Sequence, residues 1–151
     1  MRDGTADLTI EERLARLEDR AELHRLQILY AHYGDKGWGA AGGDPNALAA
    51  LFTEDAVWES AAMGRFEGRE AIAAGLSGSG LAMAVHLLAQ ADPVIEGDEA
   101  HGNWKVTLFL KKADGAYLVG AGTYVCRYRR TKEGWRIASL SMVAAGMGGL
   151  T

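Results

Sequence analysis

The chain has 151 residues, of which 48% are hydrophobic and 24% are charged, and its formal net charge is −4. A chain of this length can bury about 70% of the surface that its unfolded form exposes, so we expect one domain over residues 1–151. The mild acidity argues against nucleic-acid binding, which depends on neutralising phosphates. The single cysteine, Cys126, excludes an internal disulfide, and the sequence carries no metal-ligand spacing.

The sequence also argues against a membrane location and against a cofactor. No apolar run approaches the roughly 20 residues needed to span a bilayer. The first residues, Met1 to Thr5, are too polar for a secretory signal. Neither a phosphate-binding loop nor a nucleophile elbow is present. We therefore expect a cytoplasmic protein without a cofactor.

The first half of the chain is patterned for helices. Thr9 and Glu12 fit a capping box, and apolar residues then recur at three- and four-residue steps, which predicts a long helix ending near Gly34. A second possible cap at Asp19 leaves a break there open. Asp44 followed by proline predicts the start of a short second helix, and residues 69–74 predict a third.

The second half is patterned for strands. A strand over residues 56–60 and a hairpin partner over 63–67 precede four β-rich runs, at 84–95, 100–111, 117–130 and 134–143. Short turns join the four runs, so they should be antiparallel neighbours. Helices followed by a strand meander predict an α+β fold in which a curved, mostly antiparallel sheet wraps around the N-terminal helices. The glycine-rich tail, 144–151, could fray, or lie over a pocket or a neighbouring subunit.

Several motifs, in their order along the chain, resemble the SnoaL-like branch of the nuclear transport factor 2-like superfamily. The resemblance extends from about Thr9 to Val143 and is carried by five segments: Tyr30 to Asp35, Ala47 to Trp58, Gly64 to Ile72, His86 with Pro93 to Ile95, and Gly134 to Ile137. It implies a cone-shaped barrel with a pocket at its open end. Because this fold hosts enzymes, accessory subunits and binding modules, it says less about activity.

The resemblance also assigns roles to three residues. In the scytalone dehydratase, bile acid 7α-dehydratase and hexachlorocyclohexane dehydrochlorinase families, a histidine on the first long strand after the helices removes a proton. An aspartate just beyond the first long helix holds that histidine. His86 and Asp35 occupy the similar places here, and Tyr30 precedes Asp35 by five residues, as a tyrosine does in the bile acid enzyme. The dehydrochlorinase arginine is missing after Trp135, which argues against halide elimination.

The residues themselves leave alternatives open. An imidazole with an ordinary pKa of about 6.5 can accept a proton near neutral pH, and a carboxylate on its other nitrogen would fix its tautomer. However, His86 lies among apolar residues and could be a hydrogen-bonded core histidine, and Asp35 could be a solvated helix end. On a regular helix Tyr30 and Asp35 point about 140° apart, so both face one cavity only if Asp35 lies beyond the last turn.

The sequence thus predicts a cofactor-independent lyase of the dehydratase type, or an isomerase, that acts on a small apolar, cyclic molecule. The predicted catalytic residues are His86, Asp35 and Tyr30, and the predicted pocket lining is Tyr33, Trp38, Trp58, Ser60, Phe66, Trp104, Phe109, Tyr124 and Met142. The alternative is a non-catalytic ligand-binding or assembly module similar to the small subunits of ring-hydroxylating dioxygenases. Since the superfamily commonly pairs subunits through the sheet, we expect a homodimer.

Overall fold

A computed structural model of the protein describes residues 8–89 and 91–150. Its helices are α1 (Ile10–Gly34), α2 (Pro45–Ala50) and α3 (Arg69–Ser77). Its strands are β1 (Lys36–Trp38), β2 (Ala41–Gly42), β3 (Phe52–Ser60), β4 (Gly64–Glu67), β5 (Leu81–Ala89), β6 (Val94–Glu96), β7 (Glu99–Lys112), β8 (Tyr117–Thr131) and β9 (Gly134–Leu150). The polar start, Met1 to Thr5, and the last tail residue, Thr151, lie outside the described residues.

All nine strands of the described residues belong to one sheet, in which eight follow the order β2-β1-β5-β7-β8-β9-β3-β4 and β6 pairs with β7. The pairs are antiparallel apart from β3 with β9, which run parallel. The predicted α+β fold with a curved, mostly antiparallel sheet is therefore confirmed. Among the described residues the edge strands β2 and β4 do not pair, so the sheet forms an open cone rather than a closed barrel.

Helix α1 begins with the predicted capping box, in which Thr9 and Glu12 satisfy each other's backbone amides. It then continues through Asp19 without a break. The Asp19 carboxylate does not cap a helix, because it accepts hydrogen bonds from Arg130 and Trp135 of the sheet. From Leu23 onward one face of α1 is buried against the sheet.

The strand meander differs from its prediction at two places. The run 84–95 is divided into β5 and β6 with Pro93 between them, where a missing backbone N–H removes a ladder hydrogen bond. The tail is not a frayed end, because residues 144–150 extend β9 and pair with β8 from Tyr117 to Gly122. The prediction missed this strand because glycines give no alternating side-chain pattern.

The core lies between the inner face of the sheet, α1 and the two shorter helices. Strand β7 alternates regularly, so that Trp104, Val106, Leu108 and Leu110 are buried on the inner face. The residues between them point to the opposite, outer face. Among the described residues, none of the helices combines the length and the apolar character that a membrane crossing requires.

Candidate functional site

The end of α1 brings a carboxylate to the sheet. The helix stops at Gly34, and Asp35 adopts an extended conformation (φ −68°, ψ 138°) while its amide still donates to the Ala31 carbonyl at 2.8 Å. This change of direction lets the Asp35 side chain reach β5. One oxygen, Oδ1, accepts from the His86 backbone amide at 2.8 Å and lies 2.8 Å from His86 Nδ1. Each side chain is 13% exposed.

This geometry determines what the imidazole can do. Because Asp35 Oδ1 is an acceptor, the Nδ1 atom facing it carries a proton, and in the neutral ring Nε2 then holds a free lone pair. None of the hydrogen bonds among the described residues uses Nε2. The amide contact fixes the carboxylate on the same strand that carries the ring. The arrangement is that of a histidine base oriented by a carboxylate.

Gly34 makes room for this pair. A methyl group at residue 34 would lie 3.2 Å from His86 Cε1 and 3.4 Å from Leu48 Cδ1. Gly34 is still helical, and the residue that adopts the extended conformation is Asp35. The glycine matters here because it has no side chain, which allows the imidazole to pack against the last turn of α1.

Tyr30 lies next to His86 in the interior and is 2% exposed. The two rings meet edge to face with centroids 6.0 Å apart, and the Tyr124 ring lies 5.5 Å from Tyr30. The Tyr30 hydroxyl accepts a hydrogen bond from Trp58 Nε1 at 2.9 Å. Burial raises the pKa of both tyrosines above its ordinary value, so both are neutral phenols at neutral pH.

The other predicted lining residues are divided between the two faces of the sheet. Most lie inside: Tyr33, Trp58, Ser60, Phe66, Trp104, Tyr124 and Met142. Phe66 stacks on Trp58 with centroids 5.5 Å apart. Phe109 was wrongly placed, because strand alternation points it outward between the inward Leu108 and Leu110. Trp38 is 45% exposed and donates to the Ala84 carbonyl, so it covers β5 from outside the core.

A second buried polar cluster was not predicted. Tyr128 Oη accepts from Gln27 Nε2 at 2.8 Å and from Trp104 Nε1 at 2.7 Å, and Gln27 Nε2 also lies 3.3 Å from Cys126 Sγ. Burial raises the pKa of the Cys126 thiol to about 12, so it is not a nucleophile. The signal was present, since Gln27 stands on the same helical stripe as Leu23 and Tyr30.

Two open grooves stand out in the described part of the chain. One, of about 370 Å³, is lined by Glu59, Ser60, Ala61, Gly64, Arg65, Ser141 and Met142. The other, of about 470 Å³, is lined by Thr53, Glu54, Asp55, Arg69, Arg129, Thr131, Lys132 and Glu133. Neither lining includes Asp35 or His86. The first contains Ser60 and Met142 of the inner face, and it lies where β3 and β9 run side by side.

The fold and these residues define a class of protein. Residues 15–141 match the SnoaL-like domain model, so the chain belongs to the SnoaL-like family. The matched span contains Asp35 and His86. It also contains α2, α3, all of α1 except its beginning, and most of the sheet. The sequence matches no curated protein.

Solved structures agree with this assignment. A proposed aromatic ring hydroxylase from Novosphingobium aromaticivorans is 26% identical, with a TM-score of 0.79 over 89% of this chain and 94% of its own. A hexachlorocyclohexane dehydrochlorinase from Novosphingobium barchaimii is 19% identical, with a TM-score of 0.81 over 92% and 94%. A proposed scytalone dehydratase from N. aromaticivorans is 17% identical, with a TM-score of 0.75 over 95% and 93%. The last two share the fold.

Proposed function

We propose that the protein is a cofactor-independent lyase of the dehydratase type, or an isomerase, in which His86 is the general base. The observation that carries the proposal is the 2.8 Å contact between Asp35 Oδ1 and His86 Nδ1 in a site where each side chain is 13% exposed. A buried carboxylate held to one ring nitrogen leaves the other nitrogen for proton transfer.

The reaction begins at a C–H bond next to an activating group of the substrate. His86 Nε2 takes the proton, and the Asp35 carboxylate stabilises the imidazolium that forms. In an elimination, the C–H electron pair becomes a C=C bond while a hydroxyl leaves as water with a proton returned to it. In an isomerisation, the proton returns to another carbon. A positioned base of this kind contributes about 10²–10⁴-fold to the rate.

Tyr30 is the proposed donor to an oxygen of the substrate. Its oxygen already accepts from the Trp58 indole, and a phenol that accepts one hydrogen bond can still donate its own hydrogen. Burial keeps it neutral by raising its pKa, so it stabilises a developing oxyanion by donation rather than by charge. The aromatic rings around it favour a small, apolar, cyclic substrate.

Turnover of candidate substrates tests this proposal. Alicyclic alcohols and ketones with an acidic C–H would be incubated with the protein in D₂O, with loss of water and uptake of deuterium followed by mass spectrometry. For a compound that is turned over, His86→Gln should lower the rate at least about 100-fold. His101→Gln, an exposed histidine on β7, is the matched control and should leave the rate unchanged. Full activity in His86→Gln would rule out the proposed base.

The alternative is a non-catalytic ligand-binding or assembly module. It is favoured by the position of the two grooves, neither of which is lined by the dyad. The name of the proposed ring hydroxylase, at 26% identity, points to aromatic compounds as ligands of that relative. A ligand that binds equally to wild type and to His86→Gln, and that is never transformed, would support this module.

We also propose that the protein forms a homodimer through the outer face of the sheet. Four exposed apolar side chains from four neighbouring strands lie there: Leu87, Phe109, Val125 and Val143. Lys105, Thr107 and Arg127 make the same face partly polar. Light scattering should give twice the monomer mass, and Val143→Glu should halve it. A wild-type monomer would contradict the dimer. A cytoplasmic location remains a prediction.

A further inference from the structure

Helix α1 carries a largely apolar stripe on the side that points away from the sheet. We call it the α1 stripe; its members follow one another at alternating steps of four and three residues and are Ile10, Leu14, Leu17, Ala21, His24 and Ile28. The large apolar side chains of this set are 54% to 78% exposed. At 3.6 residues per turn, these positions fall on one side of the helix. The buried residues of α1, from Leu23 to Tyr30, lie on the opposite side.

The first half of α1 extends beyond the rest of the described chain. Every residue from 10 to 18 is exposed, and the first buried residue of the helix is Leu23. A helical segment this short is marginal in isolation, because helices in proteins are held mainly by the packing of an apolar face. The capping box stabilises its start, but its apolar side chains still face solvent. A partner that covered the α1 stripe would therefore stabilise this half of the helix.

The spacing of the stripe indicates which kind of partner fits it. Alternating steps of four and three residues form the heptad pattern by which one α-helix packs along another. From Ile10 to Ile28 the stripe is roughly 27 Å long at 1.5 Å per residue, so a small ligand would cover only a part of it. The partner must be a helix of similar length with the same spacing, and α1 of a second copy of this chain has both properties.

We infer that α1 pairs with α1 of a second copy as an antiparallel two-helix coiled coil. In the register that covers the whole stripe, Ile10 packs against Ile28 of the second copy and Leu14 packs against its His24. The two sheets do not obstruct this arrangement, because each sheet lies on the opposite side of its own α1. The inference is independent of the proposed function, since no stripe residue belongs to the proposed catalytic group.

The charges beside the stripe favour the antiparallel orientation. Glu11 would face Arg25 of the second copy at both ends of the pair, and no ion pair among the described residues uses either side chain. Near the middle, Glu18 and Arg20 would each meet their own copy, but Arg20 is already paired with an aspartate of its own chain. A parallel pair would join Arg13 to Glu18. However, it would also set Arg20 against Arg25 on both sides, and the stripe histidine against its own copy.

This pair should be weaker than the proposed dimer through the sheet. His24 is a polar residue in the seam, which costs stability, and its ring already packs edge to face on Trp104. Ala21 fills little of the seam. We therefore expect the sheet-face dimer alone at low micromolar concentration, and pairing through α1 in addition as the concentration approaches the millimolar range.

Light scattering over this concentration range tests the pair. In a Val143→Glu background, made to remove the sheet-face dimer, the mass should rise twofold from its own value at low concentration. Leu17→Glu, in the middle of the stripe, should abolish the rise. Ala15→Glu, the matched control, adds the same charge on the exposed side of α1 turned away from the stripe and should leave the rise unchanged. A constant mass, or an equal rise in Leu17→Glu, overturns the inference whatever His86 does.

Cysteine substitutions test the orientation of the two helices. The native Cys126 is buried, whereas Ile10 and Ile28 are 78% and 67% exposed. Under mild oxidation, Ile10→Cys mixed with Ile28→Cys should give a disulfide between two chains. Neither variant alone should do so, because copies of one residue lie at opposite ends of an antiparallel pair. A mixture that does not link, or Ile10→Cys that links to itself, overturns the antiparallel pair. If Leu17→Glu fails to fold, this result decides.

Discussion

Helix α1 carries two buried polar clusters to the same sheet, and they differ in what they leave unbound. In the middle of the helix, Gln27 and Trp104 both donate to the Tyr128 hydroxyl. At the end of the helix, Asp35 binds His86 through Nδ1 and the backbone amide, and none of the described hydrogen bonds engages Nε2. The first cluster holds strands and helix together, whereas the second orients a group that can still react.

The comparison shows that burial of polar groups does not by itself mark a site. Tyr128 is among the most completely buried side chains, and burial raises its pKa as it does that of Tyr30. What distinguishes the dyad is a lone pair that the protein does not use. The cluster of Gln27, Trp104 and Tyr128 also costs some folding free energy, because Gln27 Oε1 is buried and has no hydrogen-bond partner among the described residues.

The largest expected effect is on the dyad. Asp35→Asn removes the negative charge that stabilises a protonated His86, although its amide oxygen can still accept from the His86 backbone amide and from Nδ1 as Asp35 Oδ1 does. Turnover should fall at least about 100-fold, as expected for the loss of that stabilisation. The rate constant of a compound transformed by the wild type measures this, with Asp44→Asn at the N-cap of α2 as a control. An unchanged rate would place Asp35 outside the mechanism.

In the cluster of Gln27, Trp104 and Tyr128, a substitution should lower stability and leave the rate unchanged. Tyr128→Phe removes the acceptor of two buried donors, so the free energy of unfolding should fall by about 1–3 kcal/mol. The catalytic rate of the folded fraction should stay the same. Urea unfolding and a rate assay on the same preparation measure both quantities. If Tyr128→Phe kept full stability but had a reduced rate, the cluster of Gln27, Trp104 and Tyr128 would have a role in the reaction instead.

Gly34→Ala tests whether Gly34 is needed to leave room for the His86 ring. The added methyl lies 3.2 Å from His86 Cε1, so the ring must shift by a few tenths of an ångström and the rate should fall. Alanine is the better helix residue by about 0.5–1 kcal/mol, which favours an unchanged or slightly raised stability. Thermal unfolding and rate constants, measured on the same preparation, test both expectations: a lower rate and an unchanged or slightly higher stability. Loss of stability without loss of rate would contradict the packing role of Gly34.

The smallest expected effect concerns the ion pair between Asp19 of α1 and Arg130 of the sheet. Hydrogen bonds from Arg130 lower the pKa of Asp19 from its ordinary 3.8, so its contribution is present above that pH and is lost as pH falls through the lowered pKa. Because Arg130 is 37% exposed, screening limits the effect to about 1 kcal/mol or less. Asp19→Asn should be less stable than wild type near neutral pH and equal to it in strong acid. A difference that does not change with pH would contradict the ion pair.

Much of the fold could be predicted because its signals are local. The capping box at Thr9 and the Asp44–Pro45 start are read from adjacent residues. The extension of β9 could not be read in this way, because its glycines carry no pattern and its hydrogen bonds come from β8, more than twenty residues away. Phe109 points outward because of the strand register, and a shift of that register by one residue would turn it to the inner face.

The candidate site was less accessible to sequence reasoning. Asp35 and His86 were paired through a family resemblance, because their contact spans 51 residues of chain and no local pattern links them. Gln27 could have been noticed as a polar residue on the buried stripe of α1, but its partner Tyr128 lies on a distant strand.

The ring nitrogens of His86 provide the most direct test, since the central claim is about which of them is free. We expect the ¹⁵N signals of the neutral wild-type ring to report a proton on Nδ1 and a lone pair on Nε2, and this preference to be lost in Asp35→Ala, which removes the acceptor oxygen. A neutral ring with its proton on Nε2, or a preference for Nδ1 that Asp35→Ala leaves unaltered, would contradict the account.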